Sequence, residues 1–200
     1  MLKAIKKRRL RASNGRFVIV ASLYNARYVN AMVRAAKVEL KRARAAQVQV
    51  IRVPGAFEIP IVAARLASID YQLQITEDGT RSTERNSRLT YDSPHSPLPP
   101  RAVPSSPPLS AIICLGVILR GETSHATHIG EAVTRAIMEI QLRYEVPVIH
   151  EVLLLENQDQ ARVRCLDRKH NRGTEAAQTA LTMAQVIQNL HKPLASGFDK

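Results

Sequence analysis

Four short aliphatic runs punctuate the chain, at residues 17–21, 48–53, 111–117 and 147–155. Each is rich in β-branched residues and none alternates cleanly with polar ones, the pattern of strands buried on both faces. Between the runs, apolar residues recur at helical spacing. One set is Val29, Met32, Val33, Ala36 and Leu40; a second is Ile129, Val133, Ala136, Ile137 and Ile140; a third is Ala176, Ala180, Met183, Ala184 and Ile187. Each lays a single apolar stripe along a helix. A shorter helix is predicted over 57–68 and a small one over 159–164. The order is β-α-β-α-β-α-β-α. With right-handed crossovers it gives an α/β fold, a parallel sheet with helices on both faces. Ligands in such sheets bind beyond the carboxyl ends of the strands, so the residues that follow each strand are the ones to inspect.

One segment breaks the rhythm. Residues 76–108 hold seven of the eleven prolines, with many Ser, Thr and Arg and few aliphatics. No packed element is expected there, and the segment reads as a surface insertion or as an extended partner-binding stretch. The expected organisation is a basic, disordered arm over 1–15 and one domain over 16–192. That domain carries the proline-rich insertion at about 76–109, and a tail follows over 193–200.

Composition narrows the picture further. Aromatics make up only 4% and Trp is absent, so the core must be built from Val, Ile, Leu and Ala. The net charge of +12 points towards nucleic acid. Six of those charges, however, crowd into the first twelve residues: Lys3, Lys6, Lys7, Arg8, Arg9 and Arg11. They read as a solvated arm, with an RNA-binding or targeting arm as the alternative. Cys114 and Cys165 lack metal-ligand spacing and look like reduced thiols. No signal-peptide core or membrane-length apolar run is evident, so a cytoplasmic protein with no membrane partner is expected.

The strand ends carry the candidate chemistry. Tyr24 and Asn25 follow the first strand. They could stack on a flat heterocycle and bond its edge, or serve as a packing residue and a helix cap. After the second strand, Pro54-Gly55 makes a turn and Glu58 falls in the first turn of a helix. That suits either helix initiation or a polyol-binding corner. After the third strand, Gly121, Glu122, Thr123 and Ser124 offer amides and hydroxyls at a helix N-terminus, a ready anion site. His125 stands beside it as a proton donor and acceptor or as a structural residue, and His128 is a rival by type. After the fourth strand come His150 and Arg164, an arginine able to clamp phosphate, with Arg162 and Arg168 nearby. Arg172 opens the last helix, either solvated or reaching a substrate carbonyl.

Three segments, taken in order, resemble the lumazine synthase family: VPGAFEIP at 53–60, RGETSH at 120–125 and NRGTEAA at 171–177. The resemblance covers all but the arm, the insertion and the extreme C-terminus. It implies a flavodoxin-like three-layer α/β/α sandwich with a four-stranded parallel sheet. It also implies a transferase of riboflavin biosynthesis. Such an enzyme condenses 5-amino-6-(D-ribitylamino)uracil with 3,4-dihydroxy-2-butanone 4-phosphate, using no metal or organic cofactor. By that resemblance Tyr24 and Asn25 face the pyrimidine, and Ala56, Phe57 and Glu58 bind the ribityl chain. Val117, Ile118 and Leu119 read the pyrimidine through their backbone. Gly121, Glu122 and Thr123 form the phosphate turn, and His125 is the catalytic histidine. Arg164 reaches the phosphate from a neighbouring subunit of a homo-oligomer; the family forms homopentamers or capsids of twelve pentamers, and the long insertion and charged arm favour the homopentamer here.

The chain also departs from the family. His150 stands where Phe is common, and Glu122 where a small residue is. Arg172 replaces a common Lys, and Leu154 and Leu155 replace hydroxyl residues. His150 and Arg172 are nevertheless placed with the substrate-binding set. Two rival classes stay open: a relative that holds lumazine or riboflavin without making it, and a basic nucleic-acid-binding module. The second lacks an aromatic platform, and no nucleic-acid partner is expected.

Overall fold

The computed structural model describes residues 11–12, 15–77 and 107–190. Four strands form one all-parallel sheet in the order β2-β1-β3-β4: β1 (Arg16–Ser22), β2 (Gln47–Val53), β3 (Leu109–Leu119) and β4 (Val148–Leu155). Helices α1 (Ala26–Arg42) and α5 (Arg172–Leu190) cover one face. Helices α2 (Ile59–Glu77) and α3 (His125–Tyr144) cover the other. The short α4 (Gln158–Ala161) runs into a wide turn of π-helical geometry (Arg162–Leu166) that packs on α1 and α5. The chain moves outward from β1 to β2, then back across β1 to β3. With crossovers of one hand, that reversal puts α1 and α2 on opposite faces.

The central strands behave as their aliphatic runs require. Phe17, Val18, Ile19, Val20 and Ala21 of β1 are fully buried, as are Ala111, Ile112, Ile113, Cys114 and Leu115 of β3. Odd positions feed the α1–α5 layer and even positions the α2–α3 layer. Each well-buried Val, Ile or Leu contributes about 1.5–3 kcal/mol, so two such layers carry most of the fold.

Strand β2 differs from expectation. It is an edge strand, and Gln47, Gln49 and Arg52 are exposed. With a single strand neighbour and little cover at the rim, Val48, Val50 and Ile51 are only partly buried, and Val53 alone is fully covered. Helix α2 also differs at both ends. It starts at Ile59 rather than 57, because residues 54–58 form a turn, and it continues to Glu77 instead of stopping at 68. Strand β3 begins at Leu109. Residues 76–77 and 109, placed in the insertion by the sequence, therefore belong to regular elements. Residues 78–106 of that insertion, most of the arm and the tail lie outside the described residues.

A buried clamp ties α2 to the start of β3. Asp70 of α2, 3% exposed, accepts the Leu109 amide at 2.8 Å and the Arg16 guanidinium at 3.1 Å. Arg16 also donates to the Pro107 carbonyl. Asp70→Ala would leave a nearly buried guanidinium and an amide without this acceptor. Its expected cost is about 3–5 kcal/mol, the range for breaking a buried ion pair. A urea melt measures it, and a loss below about 1 kcal/mol would show that the clamp bears little of the fold.

Candidate functional site

The loops after neighbouring strands are stitched together at the carboxyl edge of the sheet. Leu23 and Tyr24 donate their amides to the carbonyls of Val53 and Pro54, and Arg120 donates its amide to Leu155. Two aromatics result on the β1–β2 side, Tyr24 at 76% and Phe57 at 60% exposure. Neither ring belongs to the core.

Asn25 occupies the cap position of α1, but its side chain does not cap the helix. Its backbone is left-handed (φ 55°), a conformation that Asn tolerates better than most residues. Its amide instead donates 2.8 Å across to the Val117 carbonyl of β3. That bond spans the crevice between β1 and β3, the switch point where the chain reverses direction and ligands bind in such sheets. It also occupies the carbonyl of Val117, one of the three residues expected to read a pyrimidine through their backbone. Val117, Ile118 and Leu119 lie within β3 rather than beyond it.

Glu58 sits just ahead of α2, not inside it. Its Oε2 accepts the Gly55 amide at 2.8 Å, closing the Pro-Gly turn. Ala56 is buried beneath this corner, and Phe57 faces outward. The other carboxylate oxygen of Glu58 has no bond among the described residues, so the corner presents one acceptor beside an exposed ring.

At the end of β3, Gly121, Glu122, Thr123, Ser124 and His125 are all exposed. Ser124 takes the cap position of α3 without a side-chain cap bond, although its carbonyl accepts from Thr127 and His128. The leading amides of a 20-residue helix thus point outward uncapped, as an anion site requires. His125 begins the helix next to them, and His128 is exposed one turn on.

Arg164 lies in the π turn on the α1–α5 side, and its buried Nε has no hydrogen-bond partner. The amides at 121–125 belong to the α2–α3 side. The two halves of the expected phosphate site are thus held on opposite faces of the sheet, and one chain alone does not bring them together.

His150 does not stand at a strand end. It is the third residue of β4, level with Cys114 of β3, and its ring turns towards α3. Nδ1 accepts the Val152 amide at 3.2 Å, and Nε2 lies 2.8 Å from the Thr134 hydroxyl. That hydroxyl donates its proton to the Gly130 carbonyl, so Nε2 carries the hydrogen. Burial pushes the His150 pKa down, which keeps this neutral tautomer. Thr134 and Val152, which hold the ring, help line an open groove of about 460 Å³, together with Thr127, Gly130, Glu131, Arg135 and Leu154.

Arg172 is committed within the chain. Two nitrogens meet both carboxylate oxygens of Glu151, at 3.0 and 2.9 Å, and a third contact reaches Glu175 at 2.6 Å. Glu151, only 5% exposed, was not singled out from the sequence. Its signal was there: Glu151 and His150 are the only ionisable residues in the last aliphatic run. Asn171, also missed, caps α5 by accepting the Gly173 amide and donates to the Cys165 carbonyl. Burial pushes both thiols, Cys114 and Cys165, up to about 12, which keeps them protonated and inert. No group of three or more His, Cys, Asp or Glu among the described residues could hold a metal ion, and no helix there is long and apolar enough to cross a membrane.

Comparison with known proteins follows this geometry. The profile of the 6,7-dimethyl-8-ribityllumazine synthase family matches residues 14–77 and 101–188, skipping the centre of the proline-rich segment. A 6,7-dimethyl-8-ribityllumazine synthase of Stenotrophomonas maltophilia (strain R551-3) is 31% identical over 179 residues, 88% of this chain and 92% of its own. The enzyme of the same description from Xylella fastidiosa (strain 9a5c) is 32% identical over 183 residues, 90% and 95% of the two chains. That from Xanthomonas campestris pv. campestris (strain B100) is 31% identical over the same shares.

Proposed function

Since the chain belongs to the 6,7-dimethyl-8-ribityllumazine synthase family, we propose an assignment of its residues to the steps of that family's reaction. The protein is a transferase of riboflavin biosynthesis. It condenses 5-amino-6-(D-ribitylamino)uracil with 3,4-dihydroxy-2-butanone 4-phosphate, releasing phosphate and water. In our assignment Tyr24 stacks on the pyrimidine, and Asn25 keeps its loop against β3. Ala56, Phe57 and Glu58 receive the ribityl chain, with Glu58 accepting hydroxyl hydrogen bonds. Ile118 and Leu119 offer their backbone to the pyrimidine edge.

The phosphate sits on the amides of Gly121, Glu122 and Thr123, and the Glu122 carboxylate points away from it. The uracil amine attacks the ketone, water leaves to form a Schiff base, phosphate is eliminated, and the second carbonyl closes the ring with loss of water. His125 moves the protons. Holding two substrates in one cleft supplies a large share of the acceleration, up to ~7–11 kcal/mol.

One observation carries this assignment: the uncapped start of α3, with His125 in its first turn, beside the crevice that Asn25 spans. The homo-oligomer is assigned as a pentamer with sites between subunits. The division of the phosphate groups between the two sheet faces supports shared sites. So do Ile61, Met138 and Leu142, exposed on the α2–α3 layer. A cytoplasmic location accords with two free, buried cysteines. His150, held by Thr134 of α3, stays with the substrate-binding set.

The test is an absorbance and fluorescence assay of lumazine formation by the assembled protein with both substrates. Product well above the spontaneous background supports the assignment; no acceleration leaves a ligand-binding relative. Arg164→Ala should raise KM for the butanone phosphate about 10- to 100-fold, the loss of a charge-assisted bond, with kcat changed less. An unchanged KM would remove Arg164 from the site.

A further inference from the structure

Arg164 and Arg172 stand near one buried carboxylate, and only one of them is spoken for. Glu151 grips Arg172 in a two-pronged ion pair, and Glu175 takes a third contact. Arg164 keeps a buried Nε without a hydrogen-bond partner. Burial pushes the Glu151 carboxyl up, to about 7, and the two arginines pull against that rise, Arg172 the more strongly, so the charge of Glu151 depends on the guanidinium it holds. Asn171, the chain neighbour of Arg172, donates to the carbonyl of Cys165, the chain neighbour of Arg164, so a freed Arg172 would bring a second guanidinium to the one assigned to the phosphate. Such a pair binds a phosphate dianion tightly, and here phosphate is a product that has to leave.

We infer that Glu151 is a positioning residue that sets phosphate affinity by withholding Arg172 from the phosphate, so that Arg164 alone supplies a side-chain cation. This rests on Arg164 being a phosphate ligand. Glu151 touches no substrate and acts only through the guanidinium it holds. Glu175 is the weaker partner because it is more exposed than Glu151 and holds one nitrogen where Glu151 holds two.

Calorimetric titration of the full-length, assembled protein with inorganic phosphate tests this, alongside steady-state kinetics. Glu151→Gln keeps the shape and removes the charge. It should tighten phosphate about tenfold, the size of one added charge-assisted bond. KM for the butanone phosphate and kcat should fall together as product release slows. In an Arg172→Met background the same change should leave phosphate affinity where that background set it, which a merely structural role for Glu151 would not predict. Should Glu151→Gln fail to fold, Glu175→Gln should shift phosphate affinity the same way by about two- to threefold. Phosphate binding that is unchanged or weaker in the variants, while Arg164→Ala weakens it, overturns the inference and leaves the site assignment standing. Phosphate binding indifferent to Arg164→Ala overturns both.

Discussion

His125→Ala is expected to lower kcat about a hundredfold without abolishing turnover. A positioned general acid and base contributes roughly 10²–10⁴-fold, and the low end applies where positioning of two substrates does much of the work. The side chain opens α3 in full exposure, beside amides that no cap residue takes. Removing the imidazole therefore takes away a proton carrier while leaving those amides and the Asn25–Val117 bridge in place. KM for both substrates should change little. His128→Ala, one turn further along the helix, is the matched control and should keep kcat within about twofold, as exposed changes away from the chemistry do. Steady-state lumazine formation distinguishes the two. Equal rates for the His125 variant and the parent would give the protons to another group.

Gly173→Ala should destabilise the fold by about 3 kcal/mol, which lowers Tm by roughly 6–12 °C in a chain of this size. A Cβ at this position would stand 2.1 Å from the Met32 carbonyl oxygen and 2.6 Å from its carbonyl carbon. Both atoms belong to the backbone of α1, so no side-chain rotation relieves the clash, and α5 would have to lift off. The glycine of the Asn-Arg-Gly segment is thus required by the closest approach of α5 to α1. The same displacement would carry Arg172 away from Glu151, so calorimetric melting and phosphate binding should change together. An unaltered melting curve would mean that α5 docks differently.

What the sequence disclosed, and what it hid, divides along the range of the interactions. The runs that became β1 and β3 are aliphatic throughout because helices cover both their faces, and that is visible residue by residue. The start of α3 was equally plain, since Arg-Gly-Glu-Thr-Ser-His is a local signal for a helix N-terminus bearing a histidine. Strand β2 was read as doubly buried because Val48, Val50, Ile51 and Val53 dominate it. Its place at the sheet edge is decided by other strands. The first turn of α2 was misjudged by two residues because the Glu58 carboxylate folds back on the Gly55 amide.

Long-range pairs were invisible. Nothing near Asn25 says that its amide reaches Val117, 92 residues on. Nothing near Arg172 says that a carboxylate in β4 already holds it. His150 was placed with the substrate-binding set, and nothing near it says that Thr134, 16 residues away, and the Val152 amide hold both its nitrogens. The residues that gather at the strand ends were therefore legible, while the commitments that decide which side chains remain free were not.

The Asp70 clamp has a consequence for engineering. It fastens α2 to β3 by side-chain and backbone bonds at the amino-terminal edge of the sheet, whereas the candidate site lies at the carboxyl edge. Strand β3 alone, at about 3.3 Å per residue, puts more than 30 Å between the two. The ends that flank residues 78–106 are thus held by a joint of their own. Lengthening a chain between two fixed ends adds only about 0.6 kcal/mol for each doubling of its length. A fluorescent reporter or affinity tag grafted between those residues would leave the domain from the edge opposite the candidate site, anchored by a joint that the graft does not have to make.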